Sequence, residues 1–244
     1  MEDADPEKGG ITWPEAPTAA SVARRSLVLA AVVCRASIDD GAGDSDVEAL
    51  HGRILGWLTR LNLWDEAEPG EEAMLRTPLG LLESKDVIQA GWYVEGLAVL
   101  AWALKYLEFP KHGAQVDSYV VTDAIWFLNE IAEDVITDAE LRSPAELEAC
   151  RELLYAIHSR LRDYVRNKAQ RDFTKWVEQE WLASLNLNAA ELIVHNDLAI
   201  GGKAISEASE KRLQEVMSIT LERHRAIIWL IEGHISYPQT PVDT

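Results

Sequence analysis

The sequence predicts a mainly α-helical fold: a single multi-helix domain around a central buried helix, with one small β-hairpin near residues 191–205. Three observations predict it. Apolar residues recur three and four positions apart through most of the chain, the period of a helix with one face turned to a core. From Gly91 to Leu104 the only charge is Glu95, so that segment is apolar on almost every face and belongs at the centre of a bundle. One stretch, Leu192 to Ile200, reads as strand, turn and strand. With 244 residues, 48% hydrophobic and 26% charged, the chain has globular composition and length enough for a sizeable core.

Residues 1–17 carry Pro6, Gly9, Gly10, Pro14 and Pro17 and five acids against one lysine, which predicts a mobile acidic arm. One helical domain is expected over 18–234 and a tail over 235–244. Its first helix runs from about Ala19 to Ile38, stopped by Asp39-Asp40-Gly41. The apolar run in it, Leu27 to Cys34, is far shorter than the roughly 18 residues a bilayer span needs. Asp44-Ser45-Asp46 offers N-caps for a second helix, with Val47, Leu50, Ile54, Leu58 and Leu61 at helical spacing. Asp65 to Glu72, five acids with Pro69-Gly70, reads as a solvated loop, and Pro78-Leu79-Gly80 as a break.

Ser84 is expected to cap the central helix, which runs to about Leu107. Asp117 or Ser118 begins a helix containing Ile125, Trp126 and Leu128. Ser143-Pro144-Ala145-Glu146 combines a cap, a proline at the first helical position and a capping-box Glu. The helix it starts presents Leu147, Cys150, Leu154, Ile157, Leu161 and Val165 as one stripe. A short helix should hold Phe173, Trp176, Val177 and Trp181. His195-Asn196-Asp197 is the turn of the hairpin, with Gly201-Gly202 after it. The last helix spans about Ser209 to Glu232, with Leu213, Met217, Thr220, His224, Ile227, Ile228 and Ile231 on one side.

Four segments resemble an uncharacterised bacterial family, domain of unknown function 4272. They are Gly91-Trp92-Tyr93-Val94-Glu95-Gly96-Leu97 continuing to Ala101-Trp102-Ala103-Leu104, His158 to Asp163 (HSRLRD), Asp197 to Lys203 (DLAIGGK) and Glu222 to Leu230 (ERHRAIIWL). The opening helix, Arg24 to Arg35, also looks like the family's start. Ser159 stands where a Trp is common, and Ile228 where an Asn is common. The resemblance implies a mostly helical cytosolic protein and no established reaction, so chemistry must be argued from side chains.

Glu95 is the most pointed residue, because its helical neighbours Gly91, Trp92, Ala98 and Val99 are all apolar. A carboxylate there is either neutral or paired with a cation. It is either a general acid, base or metal ligand in a pocket made by Trp92 and Trp102, or a buried salt bridge that fixes packing. His224, Arg24 and Arg25 are the partners considered. His224 lies in the apolar stripe of the last helix, where a lone His is usually a core residue. His158, with Arg160, Arg162 and Asp163, forms a polar cluster on one helix. With His224 and an acid it has the composition of a two-His-one-carboxylate centre, but no HExxH or paired CxxC supports metal. No metal and no cofactor is expected. DLAIGGK lacks the GxxxxGK[ST] phosphate-loop spacing, and Cys34 and Cys150 read as packed thiols in a reduced compartment.

Forty-one acids against 23 bases give a net charge of −18, which excludes nucleic acid and anionic membrane as general partners. Residues 151–175 run the other way, with seven bases against three acids. Arg151, Arg162 and Arg166 share a helical side there. They either pair with the acid-rich segment Glu130 to Glu148 or form an anion or acidic-peptide site in which Arg162 and Arg166 bind. The favoured function is a cytosolic, non-enzymatic interaction or regulatory protein, of an immunity type, whose acidic surface meets a basic protein partner. The alternative is a small-molecule-binding protein or hydrolase with Glu95, His224 and His158 in a pocket between helices.

Overall fold

A computed structural model describes residues 15–177, 179–233 and 236–242. Most of the predicted arm therefore lies outside the described residues. Along the chain come α1 (Ala19–Ser37), α2 (Ser45–Arg60), α3 (Pro69–Arg76), α4 (Ser84–Ala103), α5 (Ser118–Ala124), α6 (Ala132–Thr137) and α7 (Pro144–Asn167). They are followed by α8 (Gln179–Ser184), α9 (Ala189–Leu192), β1 (Ile193–Val194), β2 (Asp197–Ile200), β3 (Lys203–Ala204) and α10 (Glu210–Glu232). The fold is mainly α-helical with a small antiparallel sheet, as predicted.

The helices begin where side chains satisfy their first amides. The side chains of Thr18, Asp44, Asp117, Ser143 and Ser209 each accept a bond from a first-turn amide of α1, α2, α5, α7 and α10. Ser143 and Glu146 complete the predicted capping box of α7. Helix α4 packs between α1 and α10, and α10 packs on its other side against α7. That position explains the sequence of α4: every residue from Tyr93 to Ala103 is buried. Gly96 is needed there, because a Cβ at this position would collide with the Tyr237 hydroxyl.

Several boundaries differ from the sequence reading, each for a local reason. The acid-rich segment after Asp65 is not a solvated loop, since Pro69–Arg76 is helical and Glu71 is buried against Arg25. Glu83, not Ser84, occupies the cap position of α4. That helix ends at Ala103, not near Leu107: Lys105 takes a left-handed φ of 68°, and Arg142 donates to the terminal carbonyls of Trp102 and Ala103. Helix α5 stops at Ala124, before Ile125, Trp126 and Leu128. Trp126 and Leu128 adopt φ of 53° and 60°, and the bend sets Trp126 edge-on to Tyr106 and Phe127 edge-on to Trp57. Phe173 lies in a single 3-10 turn, separate from α8, which contains Trp181.

The hairpin is a three-stranded meander, β1-β2-β3, with two tight turns. Val194 pairs with Asp197 across His195-Asn196, whose φ values are 52° and 64°. Ile200 pairs with Lys203 across Gly201-Gly202, at 60° and 76°. Two successive positive φ values mark the turn that matches strand twist, which His, Asn and Gly can supply.

Candidate functional site

Glu95 is fully buried in α4, and its partner is Arg223 of α10. Arg223 donates to Glu95 Oε2 from Nε at 3.0 Å and Nη2 at 2.7 Å, while Glu95 Oε1 accepts from the Val116 amide at 3.0 Å. The remaining guanidinium hydrogens go to carbonyls of Lys111 (3.0 Å) and Ala114 (2.8 Å), with a longer contact to Pro110. Burial pushes the Glu95 carboxyl up, opposed by the Arg223 charge and the Val116 amide. The pair thus joins α4 to α10 and pins the 110–116 loop. None of the partners considered from sequence is used. Arg24 bonds Glu66, Arg25 bonds Glu71, and His224 turns to another helix.

His158 of α7 and His224 of α10 do meet. Their Nδ1 atoms are 3.2 Å apart, so one ring donates to the other. Burial pushes His158 down to about 4, helped by the Arg162 charge, and His224 to about 3, helped by His158 and Arg151. Both rings are neutral at neutral pH, and Tyr155 stands edge-on to His224. Glu95 is not in this pair. Among the described residues no group of three His, Cys, Asp or Glu is placed to hold a metal ion.

Arg160 is the other charge hidden in the polar cluster. It grips Asp197 at the start of β2 through Nε and Nη2, both at 2.7 Å, and also bonds Asp163 and the Ala169 carbonyl. Burial pushes Asp197 up, but Arg160 and the amides of Arg171 and Leu198 outweigh it and hold the carboxyl below its ordinary range. Sequence reading missed both Arg223 and the Arg160–Asp197 pair. The signal for the latter was a lone Asp at a hairpin strand start, facing inward. Trp102 is buried edge-on to Phe109 with the Arg142 guanidinium over its ring, and Trp92 is half-buried. Arg166 is exposed. Arg151 pairs with Glu148 of the acid-rich segment, as one of the two readings had it, and with Glu152, while Arg171 pairs with Asp163 and Lys175 with Asp172 inside the basic stretch.

The surface offers a different feature. A groove of about 230 Å³ runs between the end of α1, the first half of α4 and the 115–118 segment, lined by Val33, Ala36, Val87, Gly91, Val94 and Val116. Next in sequence to its lining residues Val87 and Ser118, two large apolar side chains stand out: Ile88 is 62% exposed and Tyr119 75%. The exposed charges on the bounding elements include Asp40, Asp117 and Asp123, together with a Glu83–Lys85 pair. One groove wall is the loop that Glu95 and Arg223 pin.

A family model described as a domain of unknown function (DUF4272) matches residues 12–186. The chain belongs to that family. The DUF4272 match contains the whole groove together with Glu95, His158 and Arg160. Their partners Arg223, His224 and Asp197, and the motifs DLAIGGK and ERHRAIIWL, lie beyond it. No curated protein and no solved structure matches the chain. Among the described residues no helix is long and apolar enough to cross a membrane.

Proposed function

We propose that this DUF4272 protein is a non-enzymatic, cytosolic interaction protein of a regulatory or immunity type, and that it docks a basic polypeptide partner in the groove between α1, α4 and α5. The observation that carries the reading is a groove lined by Val33, Ala36, Val87, Val94 and Val116, with exposed Ile88 and Tyr119 adjoining lining residues Val87 and Ser118 and exposed acids on its elements. Protein interfaces take their energy from such central apolar anchors, and complementary charge at the rim steers the encounter. A net charge of −18 selects a basic partner. The Glu95–Arg223 pair fits as a positioning device, because it fixes the loop that walls the groove. The hydrolase or small-molecule alternative built on Glu95, His158 and His224 is less well supported: Glu95 has its acceptor oxygens filled by Arg223 and Val116, and the two histidines bond each other.

Replacing Tyr119 by a photo-crosslinking phenylalanine in the native host, with the same replacement at exposed Gln170 as control, tests the reading. The expected product is a complex through a Lys/Arg-rich segment, formed at position 119, weakened by Ile88→Lys and by added NaCl. Equal products at both positions, products only with a second copy of this chain, or capture indifferent to salt overturn it.

A further inference from the structure

We propose that a second cavity, along α7, binds a planar, uncharged aromatic molecule of one or two rings that carries an N–H or O–H group. The cavity has a volume of about 400 Å³ and is lined by Glu152, Tyr155, Ala156, Ser159 and Trp176. Four of these lie on one face of α7, at spacings of three and four, and Trp176 closes the site from the turn that follows the helix. That volume falls among those of small-molecule sites.

The lining specifies the ligand class. Tyr155 and Trp176 are 44% and 45% exposed, and both border the same space. Aromatic side chains bordering one space favour planar partners, and stiff rings lose little freedom on binding. Tyr155 is held from behind by the edge-on contact with His224, which His158 backs in turn. Among the described residues the buried Ser159 hydroxyl has no hydrogen-bond partner. A buried polar atom left unpaired in a cavity wall calls for a ligand or water group to complete it, and a hydroxyl both donates and accepts. The one charged group in the wall, Glu152, is held by Arg151, which it shares with Glu148. The cavity therefore presents two aromatic side chains, one hydroxyl and no free cation, and its carboxylate disfavours an anionic ligand.

Titration of 5-fluoroindole into the full chain, followed by fluorine NMR, tests the site. Saturable broadening of the ligand signal is expected. Trp176→Ala should weaken binding by about tenfold, the value of one lost stacking face. Ser159→Ala should weaken it several-fold, and cyclohexanol of similar size should not displace the indole. Ser159→Phe should fill the cavity and abolish binding with the melting temperature kept. Absence of saturation, equal binding by wild type, Trp176→Ala and Ser159→Ala, or displacement by cyclohexanol overturns the proposal. The site and the groove share no residue, so either can fail without the other.

Discussion

A carboxylate sunk in an apolar helix and met by three donors holds more than its own position. Glu95→Gln keeps the volume but leaves the Arg223 guanidinium buried without its counter-charge. Removing one member of a buried pair costs about 3–5 kcal/mol, because the survivor keeps its desolvation penalty. Urea unfolding at neutral pH is expected to show a loss of that order for Glu95→Gln, and an unchanged midpoint would sink the assignment. Glu95 was legible in the sequence because nothing polar surrounds it within a helical turn. Arg223 was not, because it sits in the run Glu222-Arg223-His224-Arg225, where a single apolar stripe predicts only His224 to face inward. Helix α10 packs against both α4 and α7, so its buried surface is wider than a stripe and takes in Glu222, Arg223 and His224 together.

The contact between α7 and α10 carries a second consequence, at the scale of whole elements. His158 and His224 are neutral in the fold and ordinary in the unfolded chain, so their folded pKa values lie below the unfolded value near 6.5. Below that value the unfolded chain takes up protons that the folded chain refuses. Stability is therefore full above about pH 6.5 and falls as pH drops toward 4. Each neutral ring contributes about 1.4 kcal/mol per pH unit to the slope. His112, pushed down to about 4 by burial and by the Arg223 charge, adds a third. Urea midpoints taken from pH 7 to pH 4.5 should fall steeply for the wild type. Replacing both His158 and His224 by Gln should remove about two thirds of the histidine contribution to that slope; an equal slope would refute the pairing. That the pair meets could not be read from sequence, since 66 residues separate its members and only packing brings α7 and α10 together. Capped helices were legible for the opposite reason: the information for α7 lies within Ser143 to Glu146. The meander falls between: Gly201-Gly202 reads as a turn, but the third strand beyond it does not show, because a strand of two residues leaves no alternation to detect.

Across the whole molecule, charge splits into two populations that salt distinguishes. Arg25–Glu71, Arg35–Asp39, Glu95–Arg223 and Arg160–Asp197 are buried, and each ties a long helix to a loop, a turn or another helix. Salt screens them far less than it screens surface charges. Pairs such as Arg76–Glu72, Lys85–Glu83 and Lys105–Glu140 are exposed, and such pairs contribute little, so screening them loses little. What remains at the surface is the excess behind the net −18, a self-repulsion that opposes compactness. Raising NaCl shortens the screening length from about 30 Å at 0.01 M to about 8 Å at 0.15 M, which relieves that repulsion and leaves the buried ties intact. The melting temperature should therefore rise by a few degrees over this interval, the shift expected for about 1 kcal/mol in a chain of this size. NaCl is the salt to use, because sulfate stabilises folded proteins by exclusion whatever their charge. A melting temperature that falls with NaCl would mean that exposed ion pairs outweigh the acid excess, and would remove the electrostatic ground for a basic partner.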